Sequence, residues 1–254
     1  MSLATDRLQA EQAFHDRQAE QRSATFELRP GELHVDVDSY LDHESWIRPA
    51  FAQLGDVNGL RILDYGCGHG MASVVLARLG ARVTAIDLSP RYLCEAQRRG
   101  KANGVTIEWV QADGDRLPFA DEAFDRVWGN AILHHLDLRS AGRELRRVLR
   151  PGGIAVFSEP WGGNPFVNFA RRRLRYAGKE RTPDEQPLRR RDLALLRTMF
   201  PGLEARGYQL LSMVRRVTRR SRLVNGLDRC DEKLLACVPF LQGFCRYMVL
   251  TLRR

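Results

Sequence analysis

The feature that most constrains this chain is the stretch 62–70, where an apolar run ends in an acid and a glycine-rich loop follows. The acid is Asp64. Glycine then stands at every second position, at Gly66, Gly68 and Gly70. Residues 71–79 continue with apolar side chains on one side of a predicted helix. A strand, a glycine turn and a helix in this order bring the backbone close to a small ligand in a parallel α/β sheet.

The spacing of these glycines favours one kind of ligand over another. A dinucleotide loop reads G-x-G-x-x-G and places a pyrophosphate on a helix N-terminus, whereas this loop is one residue shorter. A carboxylate at Asp64 disfavours a pyrophosphate and favours a cationic group. The pattern Asp64-x-Gly66-x-Gly68-x-Gly70 resembles the loop of class I methyltransferases that binds S-adenosylmethionine (SAM), a sulfonium without phosphate. A glycine turn required only for packing remains the alternative.

Strand and helix patterns alternate from residue 59 onward. Apolar runs predict strands at 60–65, 82–87, 106–111, 124–130 and 154–158. Helices are predicted from the Ser89-Pro90 pair, over 140–149 and over 192–200. The later apolar runs 208–214 and 247–252 suit an antiparallel pair at the sheet edge. We therefore expect an α/β, doubly wound, Rossmann-like fold whose seven-stranded sheet is mostly parallel with an antiparallel edge strand.

The chain is expected to place two additions around this sheet. Residues 1–56 are interpreted as an N-terminal helical cap or lid, with an amphipathic helix over 38–54 that Asp38 or Ser39 caps. Residues 57–254 are interpreted as a SAM-binding methyltransferase domain. Within it, residues 159–188 interrupt the alternation and are predicted to be an insertion on the acceptor side.

Composition narrows the cellular context. The chain has 254 residues, a net charge of +9 and five cysteines without a C-x-x-C pair. Unpaired cysteines of this kind argue for a reducing cytosol and against a zinc site, so we expect a cytoplasmic protein without a bound metal. No apolar run approaches the ~18 residues of a membrane span. The arginine excess fits solvated helix faces or an anionic partner, and we consider nucleic acid an unlikely one.

Side chains at the strand ends are the candidates for cofactor binding. Asp87 ends the second strand about twenty residues past the glycine loop, a position that suits a ribose diol. The resemblance implies that Asp113 accepts from the adenine amino group, with Asp115 as the alternative. The full set expected to bind SAM is Asp64, Tyr65, Gly66, Gly68, Gly70, Asp87, Leu88, Asp113, Gly114 and Asn130. Tyr65 and His69 depart from the small residues common at these loop positions in the family.

A pair of histidines follows the fourth strand. Leu133-His134-His135-Leu136 resembles the L-H-H-L stretch of the group of methyltransferases that act on ubiquinone and menaquinone precursors. An imidazole can accept a proton near neutral pH, so His134 and His135 are candidate general bases. Glu159, directly after the fifth strand, is a third candidate. The alternative for either histidine is a purely structural role.

The insertion is predicted to contact the acceptor. It contains four aromatic residues, Trp161, Phe166, Phe169 and Tyr176, and six basic ones, Arg171, Arg172, Arg173, Arg175, Lys179 and Arg181. Aromatics offer packing for an apolar acceptor and arginines can bind an anionic one, while a solvated amphipathic helix is the alternative.

Together these features predict SAM-dependent methyl transfer to an O, N or C atom of a small molecule, such as a secondary metabolite or a quinone, sugar or lipid precursor. The alternatives are methylation of RNA or protein, and SAM binding without catalysis. The oligomeric state stays open, with a homodimer among the possibilities.

Overall fold

The computed structural model describes residues 3–28, 30–165, 167–169, 186–216 and 221–254. Its strands are β1 (Arg61–Tyr65), β2 (Arg82–Asp87), β3 (Glu108–Gln111), β4 (Phe124–Asn130), β5 (Leu149–Pro160), β6 (Glu204–Tyr208) and β7 (Tyr247–Arg253). Its helices are α1 (Leu3–Leu28), α2 (Val37–Leu41), α3 (Ile47–Ala52), α4 (Met71–Arg78), α5 (Pro90–Ala102), α6 (Leu138–Val148), α7 (Arg190–Met199) and α8 (Ser221–Cys237).

The strands form one seven-stranded sheet in the order β3-β2-β1-β4-β5-β7-β6. Neighbours from β3 to β5 are parallel, whereas β7 runs antiparallel to both β5 and β6. The predicted fold class is therefore confirmed. Strand order reverses between β1 and β4, and a crevice for a ligand opens at the carboxyl ends of the strands at such a switch point.

Buried side chains cover both faces of the sheet, as a doubly wound fold requires. One layer joins α3 and α4 to the sheet, with Phe51, Val74 and Trp128 among its members. The other layer joins α6 and α7, with Leu145 and Leu196 among its members. The central strands are thus held from both sides, which fixes the positions at which they end.

The strand predicted at 208–214 is wrong. The strand is Glu204–Tyr208, and Ser212–Arg216 forms a 3₁₀ turn instead. The buried Asp231 carboxylate accepts from the backbone N–H groups of Leu210, Leu211 and Ser212 at 3.1, 2.7 and 3.0 Å. These N–H groups are therefore satisfied by a side chain on α8 and are not available for a sheet ladder.

The single helix predicted at 38–54 is also wrong, because the chain forms α2 and α3 with a turn between them. The cap of α2 is Asp36, not Asp38 or Ser39, and its side chain accepts from the backbone N–H of Ser39 at 2.8 Å. In the turn, Trp46 is buried and its ring lies 5.5 Å from that of Tyr247. The indole packs against β7 at the turn. The spacing of apolar residues over 38–54 predicted an unbroken helix there.

The insertion is described only in part. Phe166, Arg171, Arg172, Arg173, Arg175, Tyr176, Lys179 and Arg181 lie outside the described residues. Trp161 is buried in the layer formed with α7, and its indole N–H donates to the Gly243 carbonyl at 2.9 Å. Phe169 is exposed. Among the helices of the described ranges, none combines the length and apolar character of a membrane span.

Candidate active site

A cavity of about 720 Å³ lies at the carboxyl ends of β1, β2 and β4, with α1 across it. Pockets for small ligands and cofactors are usually roughly 300–1,000 Å³, so this one suits a cofactor with part of an acceptor. Its walls include eight of the ten residues expected to bind SAM: Tyr65, Gly66, Gly68, Asp87, Leu88, Asp113, Gly114 and Asn130. Asp64 and Gly70 are not in the wall.

Two glycines of the loop serve different purposes. Gly68 has φ 52°, and a Cβ added there would meet nothing within 4 Å, because the backbone borders the open cavity. Gly70 has φ 79°, and a Cβ there would lie 2.8 Å from the Ala96 Cβ of α5. Gly68 therefore allows close approach of a ligand, whereas Gly70 allows the loop to pack against α5.

Asp87 is oriented by the loop that it faces. Its Oδ2 accepts from the Gly68 N–H at 2.8 Å and its Oδ1 from the Ser89 N–H at 2.9 Å. Burial raises the pKa of Asp87, and these two hydrogen bonds and the charge of His15 oppose that rise. Each carboxylate oxygen retains a further lone pair, so a fixed Asp87 can accept from two vicinal hydroxyls.

Asp64 lies behind the loop. It is buried, and its Oδ2 accepts from the Ser73 hydroxyl of α4 at 2.5 Å. Burial raises the pKa of Asp64 to about 7, Ser73 opposes that rise and the nearby Asp87 adds to it. The hydrogen bond between Asp64 and Ser73 connects β1 to α4. Asp64 can therefore affect a ligand only through the position of the glycine loop.

Both candidates for the adenine amino group, Asp113 and Asp115, line the cavity, and their carboxylates make different contacts. Asp115 accepts from the Asp137 N–H at 3.0 Å, so its carboxylate bridges to the start of α6. Asp113 Oδ1 accepts from the Asp115 N–H at 2.9 Å, which orients Asp113 while leaving its second oxygen outside that bond. Gly114 is held by a hydrogen bond from the Tyr65 hydroxyl to its carbonyl. Tyr65 thus supports this loop from β1, which accounts for an aromatic residue at a position usually small in the family.

Glu159 organises the loop after β4. Its Oε1 accepts from the backbone N–H groups of Ile132 and Leu133 at 2.9 and 2.8 Å, and its Oε2 lies 2.7 Å from His134 Nδ1. Glu159 is fully buried and lies outside the cavity wall. Just before these residues Ala131 has φ 56°, an uncommon conformation for a residue with a Cβ. The carboxylate therefore holds a sharply turned loop.

The two histidines occupy different environments. The His134 side chain is 3% exposed and faces Glu159, whereas His135 lies in the cavity wall. Their rings are 4.2 Å apart. Of the three residues proposed as bases, the structure thus brings His135 to the cavity and places His134 and Glu159 behind it.

Residues that the sequence patterns did not indicate complete the wall. Glu11, His15 and Gln18 of α1 face the cavity, and so does Tyr92 in the first turn of α5. The Ser89-Pro90 pair marks the start of α5 and so shows which helical turn borders the strand ends. It could have indicated Tyr92 as a residue of the cavity wall. In α1 the signal was a polar spacing of i, i+4 and i+7, which a solvated face shows equally well.

The chemistry of this wall fits SAM. Asp87 and Asp113 supply two separate carboxylate acceptors on this wall, and Gly68 leaves room beside the backbone. A triphosphate or pyrophosphate would face carboxylates at both places. The wall therefore favours a nucleoside that has no phosphate and carries a cationic group.

Comparison with known proteins agrees with this chemistry. Residues 63–157 match the family described as a methyltransferase domain. The chain is 43% identical over 99 residues to a malonyl-[acyl-carrier protein] O-methyltransferase of Enterobacter lignolyticus, covering 39% of this chain and 38% of that protein. It is 40% identical over 147 residues to a demethylmenaquinone methyltransferase of Tropheryma whipplei, covering 55% and 59%. The chain thus spans less than two thirds of the length of these curated relatives.

One solved structure has the same fold as most of this chain. A SAM-dependent methyltransferase from Mesorhizobium loti aligns with 84% of this chain and 100% of its own, at a TM-score of 0.55 and 22% identity. The sequence match covers the glycine loop, β2, β3 and β4, which are the elements that form the cofactor side of the cavity. The match to a methyltransferase domain therefore falls on the part of the chain that carries the glycine loop, Asp87 and Asp113.

Proposed function

We propose that this chain transfers a methyl group from SAM to an O, N or C atom of a small-molecule acceptor. The observation that carries the proposal is the fixed Asp87 carboxylate, which two backbone N–H groups orient beside Gly68 at the cavity. Asp113 lies in the same cavity wall and supplies the second acceptor that a nucleoside requires.

The residues of the chain would hold the cofactor in a defined way. Asp87 would accept from the ribose hydroxyls, Asp113 from the adenine amino group, and the backbone at Gly66 and Asn130 would lie along the methionine portion. When bound, SAM supplies an electrophilic methyl group on a sulfonium. The enzyme's task is then to align the nucleophile and to exclude water, and alignment lowers barriers by about 7–11 kcal/mol in favourable models.

His135 is the base we propose for acceptors that must lose a proton. It lies in the cavity wall, and its ring packs on His134, which Glu159 fixes from behind. An O–H or acidic C–H acceptor would transfer its proton to the imidazole as the new bond to carbon forms. For a neutral amine this step is less important. His134 and Glu159 would serve as positioning residues.

The acceptor class is suggested by the relatives. Their names refer to demethylmenaquinone and to a malonyl group on an acyl-carrier protein, whose free carboxylate is an anionic acceptor. An acceptor of this kind is consistent with the arginine-rich composition around 171–181. We propose the cytoplasm as the compartment, since all five cysteines are unpaired. We propose a small molecule, and not nucleic acid, as the partner.

The test is incubation of the purified chain with SAM and a panel of a demethylated quinol, a malonyl thioester and an extract of small molecules. We expect S-adenosylhomocysteine release together with a product heavier by one methylene. Salt-sensitive binding of tRNA or rRNA, with methylation of that RNA, would favour the RNA alternative. Tight SAM binding without turnover on any acceptor would favour a binding module.

A further inference from the structure

Helix α1 presents a polar face to the cavity. Glu11, His15 and Gln18 are spaced i, i+4 and i+7, so they lie along one side of the helix, and all three line the cavity. Among residues 9–21, where α1 side chains are described, Ala19 is the buried apolar residue. Apolar burial therefore contributes little to holding this part of the helix in place.

Polar contacts hold the helix on the start of α5. We call them the latch, and they join Asp16 to Ser89, Gln18 to Tyr92 and Glu20 to Arg91. The Ser89 hydroxyl donates to Asp16 Oδ1 at 2.5 Å, the Tyr92 hydroxyl to Gln18 Oε1 at 3.2 Å, and Arg91 lies 2.7 Å from Glu20. The Arg91 and Glu20 side chains are about half exposed, so water competes with this pair. Contacts of this kind can open without disturbing the core.

With the latch formed, His15 lies close to His135 and Tyr92. Its ring centroid lies 5.4 Å from that of His135, in an edge-to-face arrangement, and 6.0 Å from that of Tyr92. His15 is also an electrostatic neighbour of Asp87. The ring therefore lies between the carboxylate expected to bind ribose and the histidine proposed as base.

We propose that His15 is a positioning residue of the cofactor site, which seats against His135 when α1 is latched and closes the cavity over bound SAM. The inference rests on the proposed function. It implies that SAM and S-adenosylhomocysteine exchange only when the latch opens. The contact of His15 with His135 and the latch both hold α1 closed, so loss of either should speed cofactor entry and release together.

The experiment measures association and dissociation of radiolabelled SAM, with excess S-adenosylhomocysteine as the displacing ligand. His15→Ala should raise the association and dissociation rates about fivefold each, as expected for loss of one aromatic contact that holds α1 closed. His15→Phe should restore slow dissociation, because phenylalanine keeps the edge-on packing against His135. His43→Ala removes an exposed histidine away from the cavity and serves as the matched control.

A latch variant tests whether the polar contacts with α5 hold the same closed state. Asp16→Ala combined with Glu20→Ala removes two of the three latch contacts, and should accelerate both rates by similar factors, leave the Kd nearly unchanged and increase hydrogen exchange of α1 in the protein without ligand. The inference is overturned if His15→Ala matches His43→Ala in both rates, or if His15→Phe dissociates as fast as His15→Ala. A wild-type chain that binds no SAM would instead refute the proposed function itself.

Discussion

The two sides of the cavity are built in different ways. The donor wall, formed by Gly68, Asp87 and Asp113, lies at or just after the carboxyl ends of β1, β2 and β3, which the sheet holds side by side. The lid wall, formed by Glu11, His15 and Gln18, belongs to a helix held by polar contacts. The donor wall is therefore rigid, whereas the lid wall can open. We expect substitutions in the donor wall to alter the affinity for SAM, and substitutions in the lid wall to alter the rates at which SAM enters and leaves.

Glu159 offers the strongest test of rigidity, because it holds the loop where the two walls meet. Glu159→Ala leaves the N–H groups of Ile132 and Leu133 and the His134 ring without their shared acceptor. At roughly 1–3 kcal/mol for each unsatisfied buried group, the free energy of unfolding should fall by about 3 kcal/mol or more. Urea denaturation followed by circular dichroism measures this, and Glu159→Gln should lie between.

The matched control is Glu232→Ala, because Glu232 is exposed on α8. Its free energy of unfolding should stay within about 0.5 kcal/mol of wild type. Equal stability of the Glu159 and Glu232 variants would show that the loop after β4 does not depend on the carboxylate.

Asp64, which lies behind the donor wall, makes the free energy of unfolding depend on pH. Burial raises its pKa to about 7, whereas an aspartate in an unfolded chain titrates near about 4. Folding therefore favours the protonated carboxyl. This contribution is fully present below pH ~4 and is lost as the pH rises through the folded-state pKa.

Asp64→Asn should abolish this dependence, because the amide does not titrate. The free energy of unfolding of wild type relative to the variant should fall by up to about 1.4 kcal/mol per pH unit across the window. Urea unfolding of both proteins between pH 4 and pH 8, without SAM, provides the measurement. Parallel stability curves would contradict the assigned shift.

His135 tests the chemical role of the loop after β4. His135→Gln should lower turnover of an O–H or acidic C–H acceptor by about 100-fold, since general base catalysis contributes roughly 10²–10⁴. SAM affinity should change little. His134→Gln keeps a polar side chain beside Glu159 and should lower turnover less. Steady-state kinetics with calorimetry separates the two effects, and the reverse order would assign the base to His134.

The smallest expected effect distinguishes the two carboxylates after β3. Asp113→Asn should weaken SAM binding about tenfold, because the amide accepts less strongly than a carboxylate. Asp115→Asn should lower the melting temperature with little change in SAM affinity, since its contact is the N–H of Asp137, the residue that caps α6. Calorimetry and thermal unfolding of both variants decide between them, and equal loss of affinity would mean that both contact the adenine.

The donor wall was the part of the site that the sequence predicted best. The apolar runs placed β1 to β4 within two residues, and their ends position Asp87 and Asp113 because the sheet geometry leaves little freedom there. The roles of other side chains depend on long-range contacts. No local pattern showed that the Glu159 carboxylate faces Ile132 and Leu133.

The same cause explains the errors outside the site. The pattern at Leu210 and Leu211 predicted a strand, but their N–H groups donate to Asp231, which is 21 and 20 residues further along the chain. The polar face of α1 could not be told from a solvated one, because its partners on α5 are distant in sequence. Periodicity reports burial against a core, and it does not report polar contacts across a cavity.

The central claim is that the rigid donor wall binds SAM through Asp87. Isothermal titration calorimetry of SAM into the wild-type chain and into Asp87→Asn tests it most directly. We predict saturable one-to-one binding to wild type, and affinity at least about tenfold weaker in the variant, which loses the charged acceptor for the ribose. Equal affinities, or no binding to wild type, would contradict the account.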